Sequence, residues 1–541
     1  MSALCYDGRV KNDKNSCNTD TGPIANCITA DYVVVGIGAG GALMARFLSD
    51  SGLHSVLGLE AGDNHNSDTV ISDPAFANVL PSMYHTQYFS DGTTVPQPNV
   101  KDRTLDYIGG KLLGGSSAIN GMQYARGTTS VYTRWQQMSG GDPDWGPTAA
   151  VETYKSMENF LNMSSVPNPA IHGTSGLMPI RLAPIPPQSI QTDLVTAVST
   201  LTGVPTVVDY NDFANELCAF PQWQLYQTSA KTRANGPISY LGPDAMTPQG
   251  KGVGNRRLRV LFNSTVLRVL FDGITASGVH FLYNGQFVTA YAKKKVILCS
   301  GIQTPALLQR SGVGPYNVLT NAGVMALVDS PQVGNTYSNQ PFVVVTFSAP
   351  DVPPVDAQSI YAGGAFLTIS PSTTREIQLI GQWVPSTTSS PPLLLIILIL
   401  LQPKSSGSIK IINRDPMQLP LVDPGYFTNS EDLDKLVSAV QLAMALPLPG
   451  TYALINPPTG STDPQIRDFI LDSMDQTHHF GTTCKMGTDI TNGVVDNTGH
   501  VFGTRNLMVA DATVVPIQNT GNTSSVVYFT ALTLAKKMGL V

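Results

Sequence analysis

Two histidines stand side by side in the stretch QTHHFGTTCKMG, which spans residues 476–487, and a cysteine follows them closely. His478, His479 and Cys484 are residue types that bind metal ions, and a histidine titrating near neutral pH also serves as a general base. A third alternative is that these side chains only fill the interior. Adjacent residues on a strand point to opposite faces, which argues against both histidines binding one ion. Because the chain also contains no CxxC pair, we predict no metal site.

A glycine-rich turn near the start of the sequence has the spacing of a dinucleotide site. The stretch DYVVVGIGAGGALMARFLSDSGLHSVLGLEAG, from residue 31, reads as a strand, a turn, an amphipathic helix and a second strand, which is a βαβ unit. Gly36 permits the tight turn, Gly38 lets the backbone approach a pyrophosphate, and Gly41 allows close helix packing. Glu60 follows Gly41 by 19 residues, where an acid accepts hydrogen bonds from a ribose diol. The helix N-terminus adds free amides and a dipole that favour phosphate groups.

Several later segments predict the elements around this unit. The stretch at 108–127, IGGKLLGGSSAINGMQYARG, is so rich in small residues that either its backbone lies close to a flat or charged ligand or it is a flexible loop. The segment at 256–273 alternates as a β-hairpin would, and 293–314 reads as strand, turn and helix. Segments from 340 to 412 indicate a separate, mostly antiparallel sheet. The stretch at 506–539 returns to a strand, a loop and a long helix, which indicates interleaved domains.

Length and charge narrow the classes of function. A chain of 541 residues is too long for one ordinary core, so two domains are expected. Its 38 acidic and 32 basic residues give a formal net charge of −6. Binding a phosphate backbone needs many clustered cations, so this balance argues against a nucleic-acid partner. The longest apolar run, LLLIILILL at 393–401, is too short to cross a bilayer as a helix and reads as a buried strand.

Three of the six cysteines, Cys5, Cys17 and Cys27, precede the first clear strand in a polar leader. Cysteines in such a segment fit an oxidising compartment, and the sequence leaves their pairing open. The sequence shows no apolar central segment of the kind that a signal peptide contains. The leader favours an extracellular or particle-associated location over a cytoplasmic one.

Five motifs follow one another from residue 31 to the C-terminus: DYVVVGIGAGGALMARFLSDSG with LEAG, GGKLLGGSSAINGMQYARG, SGIQTPALLQRSGVGP, HFGTTCKMG and VADATVVPIQNTGNTSS. Together they resemble the motifs of the glucose-methanol-choline (GMC) flavoprotein oxidoreductases. The resemblance implies an α/β fold in which a Rossmann-type FAD-binding domain is interleaved with an α+β substrate domain built on a mostly antiparallel sheet. The expected divisions are a polar extension at 1–30, an FAD-binding domain at 31–150, 250–330 and 490–541, and a substrate-binding domain at 151–249 and 331–489.

The resemblance implies FAD as the dinucleotide and gives the motif residues their contacts. The ADP half would lie against the glycine turn and Glu60, and the adenine against the backbone of Val266. The loop GGSSAING would pass the flavin ring near its reactive N5 atom. Ile119 stands where some relatives carry the histidine that bonds to FAD, so we expect a non-covalent cofactor. The residues expected to bind FAD are Gly36, Gly38, Gly41, Glu60, Gly114, Gly115, Ser116, Asn120, Gly121, Met122, Val266, Asp511, Ala512, Thr523 and Ser524.

The family pattern also separates the two histidines. Its catalytic histidine stands seven residues before a hydrophobic residue and eight before a glycine, so Met486 and Gly487 select His479. A second polar residue follows about forty residues later, and Asn522 lies 43 residues after His479. The resemblance implies that His479 takes the hydroxyl proton of an alcohol while hydride passes to flavin N5, and that Asn522 orients the oxygen. His478 is expected to pack or hydrogen-bond on the opposite side.

The sequence thus predicts an FAD-dependent oxidoreductase acting on CH-OH donors, an alcohol oxidase or dehydrogenase of class EC 1.1. Its partners would be a small-molecule alcohol and an electron acceptor, either O2 or another compound. Two alternatives stay open: an enzyme like the hydroxynitrile lyases with a structural FAD, and a structural or packaging protein that retains the flavoprotein fold. The oligomeric state is also left open.

Overall fold

A computed structural model describes residues 18–19, 27–73, 86–165, 168–183, 188–352, 361–388 and 390–541. Most of the expected N-terminal extension, including Cys5 and Cys17, lies outside these residues. Cys27, the third cysteine of that group, is disulfide-bonded. Cys218, Cys299 and Cys484 are free and buried.

The strands, in chain order, are β1 Asn18–Thr19, β2 Cys27–Val35, β3 Val56–Leu59, β4 Phe89–Thr93, β5 Asp106–Gly110, β6 Glu158–Phe160, β7 Met178–Leu182, β8 Cys218–Phe220, β9 Gln224–Tyr226, β10 Leu258–Leu261, β11 Ser264–Asp272, β12 Thr275–Tyr283, β13 Gln286–Leu298, β14 Val313–Gly314, β15 Val328–Asp329, β16 Asn335–Tyr337, β17 Pro341–Ser348, β18 Tyr361–Leu367, β19 Ile377–Val384, β20 Leu393–Leu400, β21 Gly407–Lys410, β22 Leu421–Asp423, β23 Leu454–Asn456, β24 Asp475–Gln476 and β25 Leu507–Val509. The helices are α1 Ala39–Asp50, α2 Thr69–Ser72, α3 Thr129–Met138, α4 Pro147–Met157, α5 Gln188–Thr202, α6 Gly236–Tyr240, α7 Thr304–Arg310, α8 Tyr316–Asn321, α9 Ser430–Met444, α10 Asp463–Ser473 and α11 Ser524–Lys537.

The first sheet is built around the βαβ unit. Strands β2 and β3 pair in parallel, and α1 connects them. The sheet order is β10-β3-β2-β13-β12-β11. In addition, β25 pairs with β13, and β1 pairs with β2. The valines of β2 are buried on both sides of the strand, as expected for a parallel strand covered on both faces. This is the Rossmann-type part of the fold.

Strands far apart in the chain complete this sheet. Strand β13 pairs in parallel with both β2 and β25, so Val34, Ile297 and Met508 lie side by side. Helix α11, which follows β25, packs against α1. The final segment of the chain therefore belongs to the same unit as its first strand, and the interleaving expected from the sequence is confirmed.

The segment at 256–273 is not a β-hairpin, and that interpretation was wrong. Strand β10 pairs in parallel with β3, whereas β11 pairs in antiparallel fashion with β12, which follows it. The two strands lie at opposite ends of the sheet order. Between them, Asn263 adopts a left-handed backbone with φ of 51°, and this turns the chain out of the line of β10. Alternation of apolar residues indicates strands but does not identify their partners.

The second sheet is antiparallel and follows the order β23-β17-β20-β19-β18-β8, with β24 paired to β17. The apolar run at 393–401 forms β20, which lies between β17 and β19. One face of this sheet packs against α5, α9 and α10. On its other face, Phe366, Ile380 and Ile399 join the core of the dinucleotide-binding half. The antiparallel sheet thus covers the Rossmann-type half.

Among the described residues, no helix is long and apolar enough to span a membrane.

Candidate active site

The glycine turn between β2 and α1 has the geometry that a dinucleotide requires. Gly36 has a φ of +85°, and a Cβ atom on it would lie 2.5 Å from the carbonyl oxygen of Cys299. A Cβ atom on Gly41 would lie 1.9 Å from the carbonyl oxygen of Gly36, so only glycine allows this helix packing. Gly40, which the fingerprint does not include, is equally restricted because its Cβ atom would lie 2.1 Å from the carbonyl oxygen of Ala510.

Gly38 differs from the other glycines of the turn. It precedes the first residue of α1, and no side chain caps the helix. A Cβ atom on Gly38 would meet nothing closer than 3.8 Å, where Gly114 and Gly115 stand. The amide of Gly114 donates to the carbonyl of Ile37 at 2.9 Å, so the two glycine-rich segments meet here. The uncapped helix start and the open room in front of it fit the pyrophosphate of FAD.

Glu60, at the end of β3, accepts hydrogen bonds from the glycine turn. Its Oε2 accepts from the amide of Ile37 at 2.9 Å, and its Oε1 accepts from the amide of Gly62 at 3.0 Å. Burial raises the pKa of this carboxyl to about 7. The amide of Ser264 also donates to the Glu60 carbonyl at 2.8 Å, which places the start of β11 beside it. Val266, the residue expected beside the adenine, lies two positions further along β11.

The second glycine-rich segment is held in an unusual backbone conformation. Gly114, Gly115 and Met122 have φ values of 106°, 51° and 63°. The side chain of Asn120 donates to Ser524 Oγ at 3.2 Å and accepts from the Met122 amide at 3.1 Å. Two expected FAD contacts from distant parts of the chain, at 120 and 524, are therefore neighbours.

Arg233, which was not predicted from the sequence, holds the second glycine-rich segment through hydrogen bonds to Asn120. Its Nη1 donates to the carbonyl oxygen of Asn120 at 2.6 Å and to Asn120 Oδ1 at 2.9 Å. Its Nε donates to the carbonyl of Ile71 at 3.0 Å. Burial lowers the pKa of Arg233 to about 10. A single arginine in a polar stretch carries no signal of such a role in the sequence.

Asp511 is buried, and donors from its own segment and from the turn after β13 saturate its carboxylate. Oδ2 accepts from the Gly301 amide at 2.9 Å and from Thr304 Oγ1 at 2.7 Å. Oδ1 accepts from the amide and hydroxyl of Thr513. Burial raises the pKa of Asp511. The Asp511 side chain therefore shapes the backbone beside Ala512. Gly301, whose amide donates to this carboxylate, has a left-handed φ of 56°, a conformation that glycine adopts without strain.

Polar groups near these segments fit a bound cofactor. Thr523 precedes the first turn of α11 as its N-cap residue, and no side chain caps that helix. Ser300 Oγ, beside the glycine turn, and Gln378 Oε1, on the sheet face toward the Rossmann-type half, are buried without a hydrogen-bond partner among the described residues. Buried polar groups normally have partners, so a polar ligand such as FAD suits this region.

His478 and His479 do not lie on a strand, so the alternation argument about their directions was wrong. Strand β24 ends at Gln476, and His478 has a left-handed φ of 58°. The imidazole of His478 lies 6.0 Å from the ring of Phe480. Burial and the neighbouring His479 lower the pKa of His478 to about 3. In the part of the chain that the structure describes, no group of three or more His, Cys, Asp and Glu could hold a metal ion.

His479 is held by hydrogen bonds at both its ring and its backbone. Its Nδ1 lies 2.6 Å from Gln340 Oε1, and its amide donates to Asn339 Oδ1 at 2.9 Å. Gln518 Nε2 donates to the His479 carbonyl at 2.7 Å. Burial lowers the pKa of His479 to about 4, so its imidazole is neutral at neutral pH.

Asn522 is buried between two glutamines. Its Oδ1 accepts from Gln378 Nε2 at 2.8 Å, and its Nδ2 donates to Gln123 Oε1 at 3.1 Å. Asn519 Nδ2 donates to the Asn522 carbonyl at 3.0 Å, and Asn519 in turn accepts from Gln340. The structure therefore brings the loops of His479 and Asn522 together, although the two side chains bond to different partners.

A buried ionic cluster anchors the second glycine-rich segment to the rest of the chain. Arg126, at its end, binds Glu158 through Nη2 and through Nε, the latter at 3.0 Å. His172 lies between two carboxylates, with Nδ1 3.0 Å from Glu158 Oε2 and Nε2 2.9 Å from Asp209 Oδ2. All four side chains are almost fully buried. Arg126 and His172 hold the pKa of the Glu158 carboxyl below its ordinary value despite burial.

A Rossmann-type sheet with an uncapped helix start, covered by an antiparallel sheet and joined to a part-buried histidine loop, is the architecture expected of a flavin-dependent oxidoreductase. A family model described as GMC oxidoreductase matches residues 30–342, and a second with the same description matches 403–531. The first alone covers more than half of the chain, so this chain belongs to the GMC oxidoreductase family. It is an FAD-dependent oxidoreductase that acts on CH-OH donors, as the motifs predicted.

Individual relatives resemble the chain along nearly its whole length. An oxygen-dependent choline dehydrogenase from Pectobacterium atrosepticum is 27% identical over 94% of this chain and 93% of its own. The GMC oxidoreductase family protein Mala s 12 from Malassezia sympodialis is 27% identical over 92% of this chain and 90% of its own. The crystal structure of pyridoxine 4-oxidase from Mesorbium loti has a TM-score of 0.83 and 24% identity, and the match covers 94% of this chain and 99% of that one. This last likeness supports the fold.

Proposed function

We propose that this enzyme oxidises a small-molecule alcohol, with His479 as the base and Asn522 as the residue that orients the substrate oxygen. The observation that carries the proposal is the hydrogen-bonded junction of three loops. Gln518 joins the 518–522 loop to the carbonyl of His479, and Asn120 joins the second glycine-rich segment to Ser524. These hydrogen bonds link the segments that carry the proposed base, the proposed oxygen-orienting amide and the loop expected beside the flavin, which supports the proposal.

The chemistry follows from the side chains at this junction. Bound FAD supplies a hydride acceptor, and loss of hydride from the alcohol carbon is easy only if the hydroxyl proton leaves as well. The imidazole of His479 has a lone pair to accept that proton because burial keeps it neutral. Asn522 Nδ2 has a second hydrogen besides the one it gives to Gln123, and this hydrogen can orient the substrate oxygen.

The names of the relatives support O2 as the first acceptor to test. One relative is named an oxygen-dependent choline dehydrogenase, and a structural neighbour is named a pyridoxine 4-oxidase. Both names refer to small hydroxyl compounds, which supports a small polar alcohol as the substrate class. The disulfide at Cys27 supports an extracellular or particle-associated location, where disulfides persist.

Anaerobic mixing of the FAD-loaded enzyme with a panel of primary alcohols tests the proposal. The flavin absorbance should bleach with at least one alcohol and return when air is admitted. His479→Ala should slow bleaching by about 10²- to 10⁴-fold without loss of bound FAD. His478→Asn, a substitution that tolerates the left-handed backbone, is the matched control and should retain the wild-type rate.

Each other outcome points elsewhere. An unchanged bleaching rate in His479→Ala would exclude this residue as the base. Release of cyanide from a cyanohydrin without bleaching would indicate the lyase alternative. Absence of both reactions, together with self-assembly in size-exclusion chromatography, would favour the structural alternative.

A further inference from the structure

We propose that Gln340 is a positioning residue that holds His479 in a single tautomer, with the hydrogen on Nδ1 and the lone pair on Nε2. The inference rests on the proposed role of His479 and adds the group that orients its imidazole. Gln340 immediately precedes β17 and is fully buried. It belongs to none of the motifs from which the site was predicted.

The orientation of the Gln340 amide is fixed by two carbonyl groups. Its Nε2 donates to the carbonyl oxygen of Leu401 at 2.6 Å and to that of Asn519 at 3.0 Å. Carbonyl oxygens only accept hydrogen bonds, and the amide nitrogen is the donor of the side chain. A flipped amide would place three oxygens against one another. The oxygen of the Gln340 side chain therefore faces His479.

The oxygen in turn fixes the tautomer of the histidine. Gln340 Oε1 lies 2.6 Å from His479 Nδ1, and an amide oxygen has no hydrogen to give. Nδ1 must therefore carry the hydrogen. A neutral imidazole carries one ring hydrogen, so Nε2 keeps its lone pair and is the atom that accepts a proton.

An amide in this position has a different effect from a carboxylate. A carboxylate partner would stabilise the imidazolium and raise the pKa of the histidine, whereas the neutral amide orients the ring without adding a charge. The low pKa of His479 agrees with a neutral partner. Gln340 thus prepares the neutral base in the correct orientation before the substrate binds.

Gln340 also sets the distance between the two proposed reacting loops. The Asn519 carbonyl that it binds belongs to the loop of Asn522, and Asn519 Nδ2 donates to the Asn522 carbonyl at 3.0 Å. Through Leu401 the same amide is tied to the end of β20. The base and the oxygen-orienting amide are therefore positioned from one side chain anchored to the antiparallel sheet.

Nitrogen NMR of the holoenzyme labelled with [15N]histidine tests the tautomer directly. The resonances of His479 are identified by their absence in His479→Ala. We expect a protonated Nδ1 and an unprotonated Nε2 in the wild-type protein, and a measurable population of the opposite tautomer in Gln340→Leu. A proton on Nε2 in the wild-type protein would overturn the proposal.

Anaerobic flavin reduction by the alcohol found for the wild-type enzyme gives the second readout. Gln340→Leu should slow reduction at neutral pH by about 10- to 100-fold, because the base is misoriented. Gln340→Glu keeps an acceptor for Nδ1 and adds a charge, so the acid limb of its pH profile should move to higher pH by about one to two units.

Gln309 provides the matched control. It is also fully buried, its Nε2 donates to the carbonyls of Val333 and Ile409, and its Oε1 accepts from the Ile411 amide. Gln309→Leu and Gln309→Glu lose the same kinds of bonds and should leave the pH profile unchanged. If the Gln340 and Gln309 variants had the same pH profile of flavin reduction, Gln340 would have only a structural role. If His479→Ala itself reduced flavin at the wild-type rate, the proposed function would fail instead.

Discussion

The carboxylate of Glu60 accepts a hydrogen bond of 2.9 Å from the backbone amide of Ile37, which joins the end of β3 to the glycine turn. A second oxygen of the same carboxylate accepts the Gly62 amide at 3.0 Å. Glu60 therefore holds the turn in shape, in addition to the ribose contact that the sequence predicts for it. Both amides lie in segments expected to touch the cofactor.

The burial of Glu60 predicts a pH-dependent stability of the FAD-free protein. Burial raises the pKa of Glu60 from 4.5 to about 7, so the folded protein binds this proton more tightly than the unfolded chain. The stability from this group is fully present below pH 4.5 and is lost as the pH rises through 7, at a cost of about 3 kcal/mol. Glu60→Gln should remove this dependence. Thermal unfolding of the FAD-free proteins between pH 4.5 and 8 measures the difference, and parallel curves would contradict the expectation.

Alanine substitutions at Gly38 and Gly41 should affect different properties, FAD affinity at Gly38 and stability at Gly41. Gly38→Ala places a methyl group where nothing lies within 3.8 Å, and the backbone φ is already negative. The free energy of unfolding of the FAD-free protein should change by less than about 0.5 kcal/mol, while the FAD dissociation constant should rise at least about tenfold, because the methyl group takes the room of the pyrophosphate.

Gly41→Ala is the counterpart, since its methyl group would lie 1.9 Å from the carbonyl oxygen of Gly36. It should destabilise the FAD-free protein by about 1–3 kcal/mol. Chemical denaturation and fluorescence titration with FAD separate the two effects. Wild-type FAD affinity in Gly38→Ala would show that the cofactor does not approach this glycine.

The histidine pair predicts acid sensitivity. Burial lowers the pKa of His479 to about 4, and burial together with His479 lowers that of His478 to about 3, so the unfolded chain binds these protons more tightly. Stability from the pair is present above pH 6.5 and is lost as the pH falls toward 4. His478→Asn should therefore raise the melting temperature relative to wild type at pH 5 and have little effect at pH 7.5. An equal shift at both pH values would contradict this origin.

The ionic cluster around Arg126 predicts a large loss of stability when one charge is removed. Glu158→Gln leaves Arg126 and His172 buried with one carboxylate fewer, which should lower the free energy of unfolding by about 3–5 kcal/mol. Asp244→Asn is the control. Asp244 forms a salt bridge to Arg46, and its side chain is 64% exposed. The free energy of unfolding should therefore fall by less than about 1 kcal/mol. Urea denaturation of both variants gives the comparison.

The elements were predictable where local pattern determines them. The valines before Gly36 and the helix after it predicted β2, α1 and β3, and the structure confirms that unit. Partners of strands were not predictable, because a run of alternating residues is equally consistent with a hairpin and with two separate pairings. Strand β10 shows this, since its partner β3 lies far away in the sequence.

The site was predictable only as far as its motifs extend. His479 and Asn522 follow from the family pattern, but Gln340, Gln378 and Gln123 come from three other segments and meet them only in the folded chain. A buried glutamine in an apolar strand such as IQLIGQWV does signal a polar partner, because burial without one is costly. It does not tell which partner.

The pairing of β25 with β13 also means that the Rossmann-type sheet is incomplete until the chain has been synthesised beyond residue 509. The glycine turn is synthesised long before Asp511 and the start of α11. A nascent chain that ends between these segments therefore lacks part of the site that is expected to bind FAD. A ribosome that stalls before residue 507 should leave residues 296–298 of β13 without the β25 partner, an open strand edge of the kind that promotes aggregation.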